Sequence, residues 1–294
     1  MRADVASKLR RAIETDGVDH AVVVLNVNDD LEPLLKTFTV ADSHNRRLQD
    51  VAHVSRLVVA AESAAIVHSV QAQPNPGLVE RIELADEVVV HADADDDMTR
   101  QAIDIVSALN PSATVSTDGS ASLKVPSPSH WFTLSDARSR AQEQVTADTE
   151  YAQQRRRFLV HRPMHPGRLL SFLRDLPPGL WRLTGAFWDA SRPAEVGFID
   201  SVGSRISVRH AGTWLAAVPD ERHPPGAVMT LKQRGQWDTT YGDRCQDLIL
   251  SGHLGAVTQA ARALAECLLT DDELVTPDEW STLAQPTLWD LETT

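Results

Sequence analysis

A chain of 294 residues has room for two domains of ordinary size, and its net charge of −13 argues against broad electrostatic binding to nucleic acid, which needs Arg and Lys in excess on one face. Its 42% apolar content is ordinary for a soluble protein, and no apolar run approaches the roughly 20 residues that span a bilayer. The charged opening Met1–Arg11 has no apolar core of a secretory signal behind it, and Cys245 and Cys267 are too few and too distant for a disulfide framework or a CxxC site, so a cytoplasmic protein is expected.

In the first part, Val5, Leu9, Ala12 and Ile13 share one helical face, and "HAVVVLNV" from His20 reads as a buried strand. "DDLEPLLKTFTVAD" reads as a helix with acidic residues in its first turn, and "SRLVVAAE" as a second strand. "PGLVERIELA" is a helix leading into the strand "DEVVVH". "DDMTRQAIDIVSALNP" is a helix with Ile103, Val106 and Leu109 inward, stopped by Asn110-Pro111, and "SATVST" is a short last strand. Such alternation predicts a parallel sheet covered on both faces.

The alternation fails after Thr117, where a Ser/Pro-rich stretch and a polar segment mark a linker over 118–156. The second part opens with the strand "RFLVHRP" and the helix "HPGRLLSFLRDLP". "GLWRLTGAFWDA", "EVGFIDSVG", "RISVRHAG" and "TWLAAVP", separated by turn signals, predict an antiparallel meander. "DLILSG" is a further strand, "LGAVTQAARALAECLL" a further helix, and Thr276-Pro277-Asp278-Glu279 reads as a capping box. There is no internal repeat.

The second part resembles the C-terminal domain of the CobW family of metal-linked P-loop GTPases. The resemblance rests on "RPMHPGRL" (162–169), "WRLTG" (181–185), Trp188 with Arg192-Pro193, "GTW" (212–214), "YGDRCQ" (241–246) and "LLTDDE" (268–273), in that order and spacing. The first part then corresponds to a piece of the family's GTPase domain, with "IELADEVVVH" leading to the guanine-reading loop and "ALNPSATV" forming the last turn and strand. The fold class implied is α/β plus α+β: an incomplete P-loop-type sheet over 1–117, the linker 118–156, and a CobW C-terminal-like domain over 157–294.

The departures from that family bear on function. A phosphate loop needs a Gly-Lys step inside a glycine-rich turn, and the chain holds no Gly-Lys dipeptide. The switch element expected within Val24 to Asp30 is absent, and the guanine-reading Asn-Lys-x-Asp is replaced by His91-Ala92-Asp93-Ala94. The Cys-x-Cys-Cys metal motif is also missing. Met1-Arg2-Ala3-Asp4-Val5 resembles the helix that follows that motif in the family, and the expectation from this resemblance is a gene that has lost its first third or a start that lies upstream. The expectation is a pseudo-GTPase with no catalytic residues, no bound nucleotide or cofactor, and no metal site.

Individual residues admit sharper readings. His161 and His165 are four apart, but Pro163 and Pro166 interrupt any helix there, and His165 is expected to open the helix that follows. His210, His223 and His253 are scattered. The four aspartates of "HADADDD" lack calcium-loop spacing and fit a helix start. Cys245 has no paired histidine by motif, so a buried thiol is expected, and Asp243-Arg244 reads as an internal ion pair. Two partner surfaces are open. One is the cationic run Arg155, Arg156 and Arg157 with Arg162 and Arg168, and the other is Trp181, Trp188 and Trp214, should the meander expose them. The abundance of arginine over lysine is the composition expected of a GC-rich genome.

The resemblance implies a non-enzymatic, actinobacterial-type CobW adaptor acting in zinc limitation. Its expected partner is a ribosome or ribosome-associated protein during hibernation; failing that, it is a protein client. The alternative is a zinc metallochaperone or GTPase whose nucleotide and metal motifs lie upstream. Neither membrane binding nor sequence-specific DNA binding is expected.

Overall fold

The run Val88–Val90 is buried because it forms the middle strand of a parallel sheet. The computed structural model describes residues 56–92, 96–117, 154–233 and 236–292, with short stretches before residue 56. The chain divides into two units, one holding Met1–His68 and Asn75–Thr149, the other Ser69–Pro74 and Glu150–Thr294. Of the expected buried strand from His20 only Val23 and Val24 are described, and they are exposed and outside any strand. Phe38 of the helix expected after it is helical and buried. The rest of both elements, positions 25–30 of the switch and residues 118–153 of the linker lie outside the described residues.

In the first unit β1 (Val58–Glu62), β2 (Glu87–His91) and β3 (Thr114–Ser116) run parallel in that order, with Val59 beside Val88 and Val88 beside Val115. A helix absent from the sequence reading, α1 (Ser63–Val70), follows β1 without a break and buries Ile66 and Val67. Helix α2 (Pro76–Leu84) starts where the Asn75 side chain accepts the Leu78 N–H at 3.1 Å, with proline in the first turn where no N–H is missed. Helix α3 (Asp96–Leu109) buries Ala102, Ile105, Val106 and Leu109, so its inner face is turned slightly from the expected one and Ile103 is only half-buried.

Asn110 then explains the "LNP" turn. Its amide donates to the Ile82 and Ala85 carbonyls, both at 2.8 Å, and its oxygen accepts from Ser112. One buried side chain therefore ties the end of α3 to the end of α2 and the entry of β2.

The second unit is a five-stranded antiparallel sheet in the order β4-β8-β5-β6-β7, formed by β4 (Arg155–Val160), β5 (Leu180–Phe187), β6 (Glu195–Val202), β7 (Arg205–Thr213) and β8 (Gln246–Gly252). Helices α4 (Pro166–Arg174) and α6 (Leu254–Cys267) close one face. Leu169, Leu173, Leu183, Phe187, Ile199, Leu248, Leu250 and Leu264 make the core between them. The "WRLTG" glycine is required by the sheet itself: Gly185 has φ +138°, and a Cβ there would run into the Asp247 carbonyl of β8.

Three expectations are corrected. "TWLAAVP" is not a strand: Leu215–Ala217 is a 3-10 turn whose free N–H groups, Leu215 and Ala216, are taken by the Asp243 carboxylate at 2.7 and 2.8 Å. The capping box stands one step earlier, at Thr270 and Glu273 ahead of α7 (Asp271–Leu274). Thr276 makes no side-chain cap, and Pro277–Leu283 is a 3-10 segment. The linker, read to Arg156, gives way at Arg155 to a strand.

Between β7 and β8 lies a short helix, α5 (Ala227–Gln233), and after α7 the chain ends on α8 (Pro286–Trp289). That last turn buries Leu288 and Trp289 in the core, and beyond it Val208 of β7 donates to the Leu291 carbonyl at 2.9 Å. Ser207 bridges Glu292 alongside, so the tail covers part of the β7 edge.

Candidate functional site

The positions expected to carry function separate once placed in the fold. β2 ends at His91, and His91 and Ala92 are exposed at its carboxyl end, while Asp93 and Ala94 lie outside the described residues. At the start of α3, Asp97 pairs with Arg100 at 2.6 Å on the surface. Among the described residues no group of three or more His, Cys, Asp or Glu side chains is placed to hold a metal ion.

The cationic run is not a solvated patch. Arg155 is buried. Arg157 makes a two-pronged pair with Asp247 on the neighbouring strand, at 2.6 and 2.7 Å. Arg162 donates to the Leu269 carbonyl and to Asp271, the latter at 2.7 Å. Arg168 holds Glu273 through two bonds of 3.0 and 2.7 Å and also reaches the Leu268 carbonyl at 3.0 Å. Of the five, Arg156 alone is exposed. The correction has a plain cause: alternation along β4 buries or pairs its neighbours, and the acidic partners come from β8 and α7.

These contacts give the motifs an architectural meaning. His165 is the N-cap of α4, its Nδ1 accepting from Gly167 at 3.1 Å and Arg168 at 3.4 Å. Arg168, from the same "HPGRL" element, reads Glu273 of "LLTDDE". Glu273 in turn accepts from Thr270 N at 2.7 Å to complete the capping box. The Arg168 guanidinium, seconded by the Thr270 backbone, holds the Glu273 carboxyl down at about 2. Buried Gln246 joins "YGDRCQ" to "RPMHPGRL", accepting from Trp188 N at 3.0 Å and donating to the carbonyls of Arg162 and Trp188 at 2.8 and 3.0 Å.

Asp243 and Arg244 do not pair with each other as expected. Asp243 caps the turn at Leu215, while Arg244 donates to the carbonyls of Pro193, Tyr241 and Ala216 at 2.9, 3.2 and 3.3 Å and stacks its guanidinium near Trp188. Both fasten the 214–245 segment over one end of the sheet.

The tryptophans do not meet the condition for surface anchors. Trp181 and Trp188 are 2% exposed and Trp214 is 6% exposed. Trp188 and Trp214 form a second apolar cluster with Cys245, flanked by Ala186, Val196, Tyr241 and Trp280. Trp181 packs edge-on to His253, their centroids 4.9 Å apart. Burial pushes the Cys245 thiol up to about 12, aided by the nearby Asp247 and Asp243 carboxylates, and raises Cys267 to about 11, so neither is a thiolate at neutral pH.

The histidines do not converge. His161 faces the Arg244 carbonyl at 3.0 Å, and His223 donates from Nε2 to the carbonyls of Leu215 and Val218 at 3.0 and 2.8 Å. His210 lies 4.0 Å from Glu195.

One functional-looking residue escaped the sequence reading. Asp189 is fully buried and accepts from Ser191 N and Oγ at 2.7 and 2.8 Å and from the Trp289 indole at 2.8 Å, with the Arg192 guanidinium 4.8 Å above that ring. It is the anchor of the tail, and the partner lies 100 residues away, which no local pattern reveals.

Residues 154–268 match the C-terminal domain of cobalamin synthesis protein CobW. Over that stretch the second unit is similar to a CobW C-terminal domain. A Mycobacterium tuberculosis protein named a zinc chaperone is 32% identical over 133 residues, 44% of this chain and 33% of that protein. A Dictyostelium discoideum protein named zinc-regulated GTPase metalloprotein activator 1 is 28% identical over 140 residues, 46% of this chain and 29% of that one. The matched stretch thus spans about a third of the length of these curated relatives. The Zn(II)-bound YjiA GTPase from E. coli aligns over 91% of this chain and 77% of its own at 12% identity, with a TM-score of 0.33. The CobW match stops at residue 268, so α7, the Glu273 lock and the tail that seals the β7 edge lie beyond it. No helix among the described residues is long and apolar enough to cross a membrane.

Proposed function

We propose that this protein is a zinc-linked CobW-type adaptor, in which the CobW C-terminal domain works by binding another macromolecule and not by chemistry of its own. One observation carries the reading. The charged groups of the domain's motifs, Arg157, Arg162, Arg168, Asp243, Arg244 and Glu273, are spent on one another or on backbone groups. None is left facing a cleft as an acid, base or nucleophile. The zinc link is supported by the names of the relatives, one a zinc chaperone and one a zinc-regulated activator. The partner we propose is the ribosome or a ribosome-associated protein of zinc-limited cells. The test is co-sedimentation of the purified chain with ribosomes from zinc-starved and zinc-replete cells. Pelleting confined to the zinc-starved preparation is expected, and no pelleting with either refutes the ribosomal partner.

A second reading, a zinc metallochaperone or GTPase whose nucleotide and metal motifs are not among these 294 residues, is favoured by the same relatives' names. Zinc transfer to an apo-metalloenzyme by this chain alone would move that reading ahead of the adaptor.

A further inference from the structure

The two edges of the five-stranded sheet are treated differently. β7 is partly sealed by the chain's own tail, through Val208 to Leu291 and Ser207 to Glu292. β4, at the other edge, has β8 as its one strand neighbour among the described residues.

The register fixes which backbone groups of β4 are left over. Gly252 N donates to the Gln154 carbonyl at 3.0 Å, and Arg155 lies opposite Ser251, so Gln154 and Gly252 are a hydrogen-bonded pair of the antiparallel ladder. Alternation then turns Arg156, Phe158 and Val160 toward β8, and the N–H and C=O groups of Arg157 and Leu159 toward the open side. The side chains beside those groups are one 40% exposed leucine, Leu159, and the exposed Arg156. Arg157 is neutralised by Asp247. Among the described residues the open edge therefore offers a row of backbone donors and acceptors, one apolar contact and one cation, Arg156, with no acidic partner.

We infer that β4 is a docking edge for an extended, acidic protein segment, which adds to the sheet as a further strand. Backbone bonds to Arg157 and Leu159 supply the affinity, and a carboxylate set against Arg156 supplies the selectivity. A second copy of this chain fits less well, because each copy would set the same Arg156 cation against its partner's. The inference rests on the adaptor reading and names the surface that reading leaves open.

The test uses the full chain and two fluorescein-labelled octapeptides, one of alternating Glu and Val and one of alternating Lys and Val, followed by anisotropy. Wild type is expected to bind the acidic peptide about tenfold more tightly than the basic one. Leu159→Pro removes an N–H that faces outward and is not used in the β4–β8 ladder, so the sheet survives while binding falls about tenfold. Arg156→Glu inverts the peptide preference without touching the backbone, and it decides the matter should Leu159→Pro fail to fold. Equal binding of the two peptides by wild type, or unchanged binding by both variants, overturns the inference. A dimer in solution that Leu159→Pro dissociates also overturns it, assigning the edge to a second copy. In co-sedimentation, Leu159→Pro and Arg156→Glu pelleting as well as wild type sinks the edge and leaves the adaptor standing. Tight acidic-peptide binding by a chain that never pellets sinks the ribosomal partner and leaves the edge.

Discussion

Replacing Glu273 by Gln should weaken the second unit at neutral pH and leave it unaffected in acid. The carboxyl is depressed from 4.5 to about 2, chiefly by its two-pronged bond to Arg168, and undiminished this would correspond to about 3 kcal/mol. Both side chains are about a third exposed, 34% for Arg168 and 30% for Glu273, and screening by solvent cuts the figure to about 1 kcal/mol. Because the folded carboxyl titrates below the unfolded one, this contribution is fully present above pH 4.5 and drains away as the pH falls toward 2. Gln keeps an acceptor for Thr270 N and for one arm of Arg168, so the capping box survives, and the charge is lost together with the second arm of the Arg168 pair. Six of the seven tryptophans lie at or after residue 181, so thermal unfolding followed by indole fluorescence reports on this domain. The variant should melt about 2–4 °C below wild type at pH 7, and the gap should close as the pH approaches 2. A gap of the same size at both pH values would mean that packing, not charge, sets the role of Glu273.

Trp289→Phe keeps the ring in the core but removes the donor to buried Asp189, and it should cost about 1–3 kcal/mol. Trp289→Ala should cost about 3–5 kcal/mol, and equal losses for the two would deny the hydrogen bond any part. Cys245 and Cys267 should resist a thiol reagent at neutral pH in the native protein and react once it is unfolded; prompt native labelling of either would contradict the burial that raises their thiols to about 12 and about 11. The chain should show no saturable binding of a fluorescent GTP analogue, since it has no Gly-Lys step and carries His91-Ala92 where the guanine-reading loop begins. Saturable micromolar binding would refute this.

What was legible in the sequence was whatever local periodicity decides. The β-branched runs placed β1 to β8, and the 3.6-residue spacing placed α2, α3, α4 and α6. The errors share a cause, which is partners far away in sequence. "TWLAAVP" has the composition of a strand, but Asp243, 28 residues on, caps it into a turn. Thr270 and Thr276 both stand three residues before a glutamate, and only contact with the folded domain selects the first. The arginine run looked like a solvated patch because Asp247 lies 90 residues from Arg157 and Glu273 lies 105 from Arg168. The helix α1 is too short for its period to show, and the anchoring of the tail on Asp189 has no sequence signal.

Arg156 decides how the open edge is to be understood, because a lone cation on an edge strand has two physical uses that pull in opposite directions. It can be a guard, which keeps exposed backbone groups from pairing with other chains, or a reader, which selects an acidic strand. Arg156→Ala separates them. Loss of a guard should raise self-association, seen as concentration-dependent growth in light scattering, and leave peptide binding intact or stronger. Loss of a reader should lower acidic-peptide affinity several-fold while the chain stays at its original size. The neighbours favour the reader. Arg155 is buried and Arg157 is bound to Asp247, so among the described residues one cation alone stands on an edge where Leu159 is 40% exposed. An Arg156→Ala chain that aggregates while binding the acidic peptide normally would reverse that judgement and make β4 a protected edge, not a docking one.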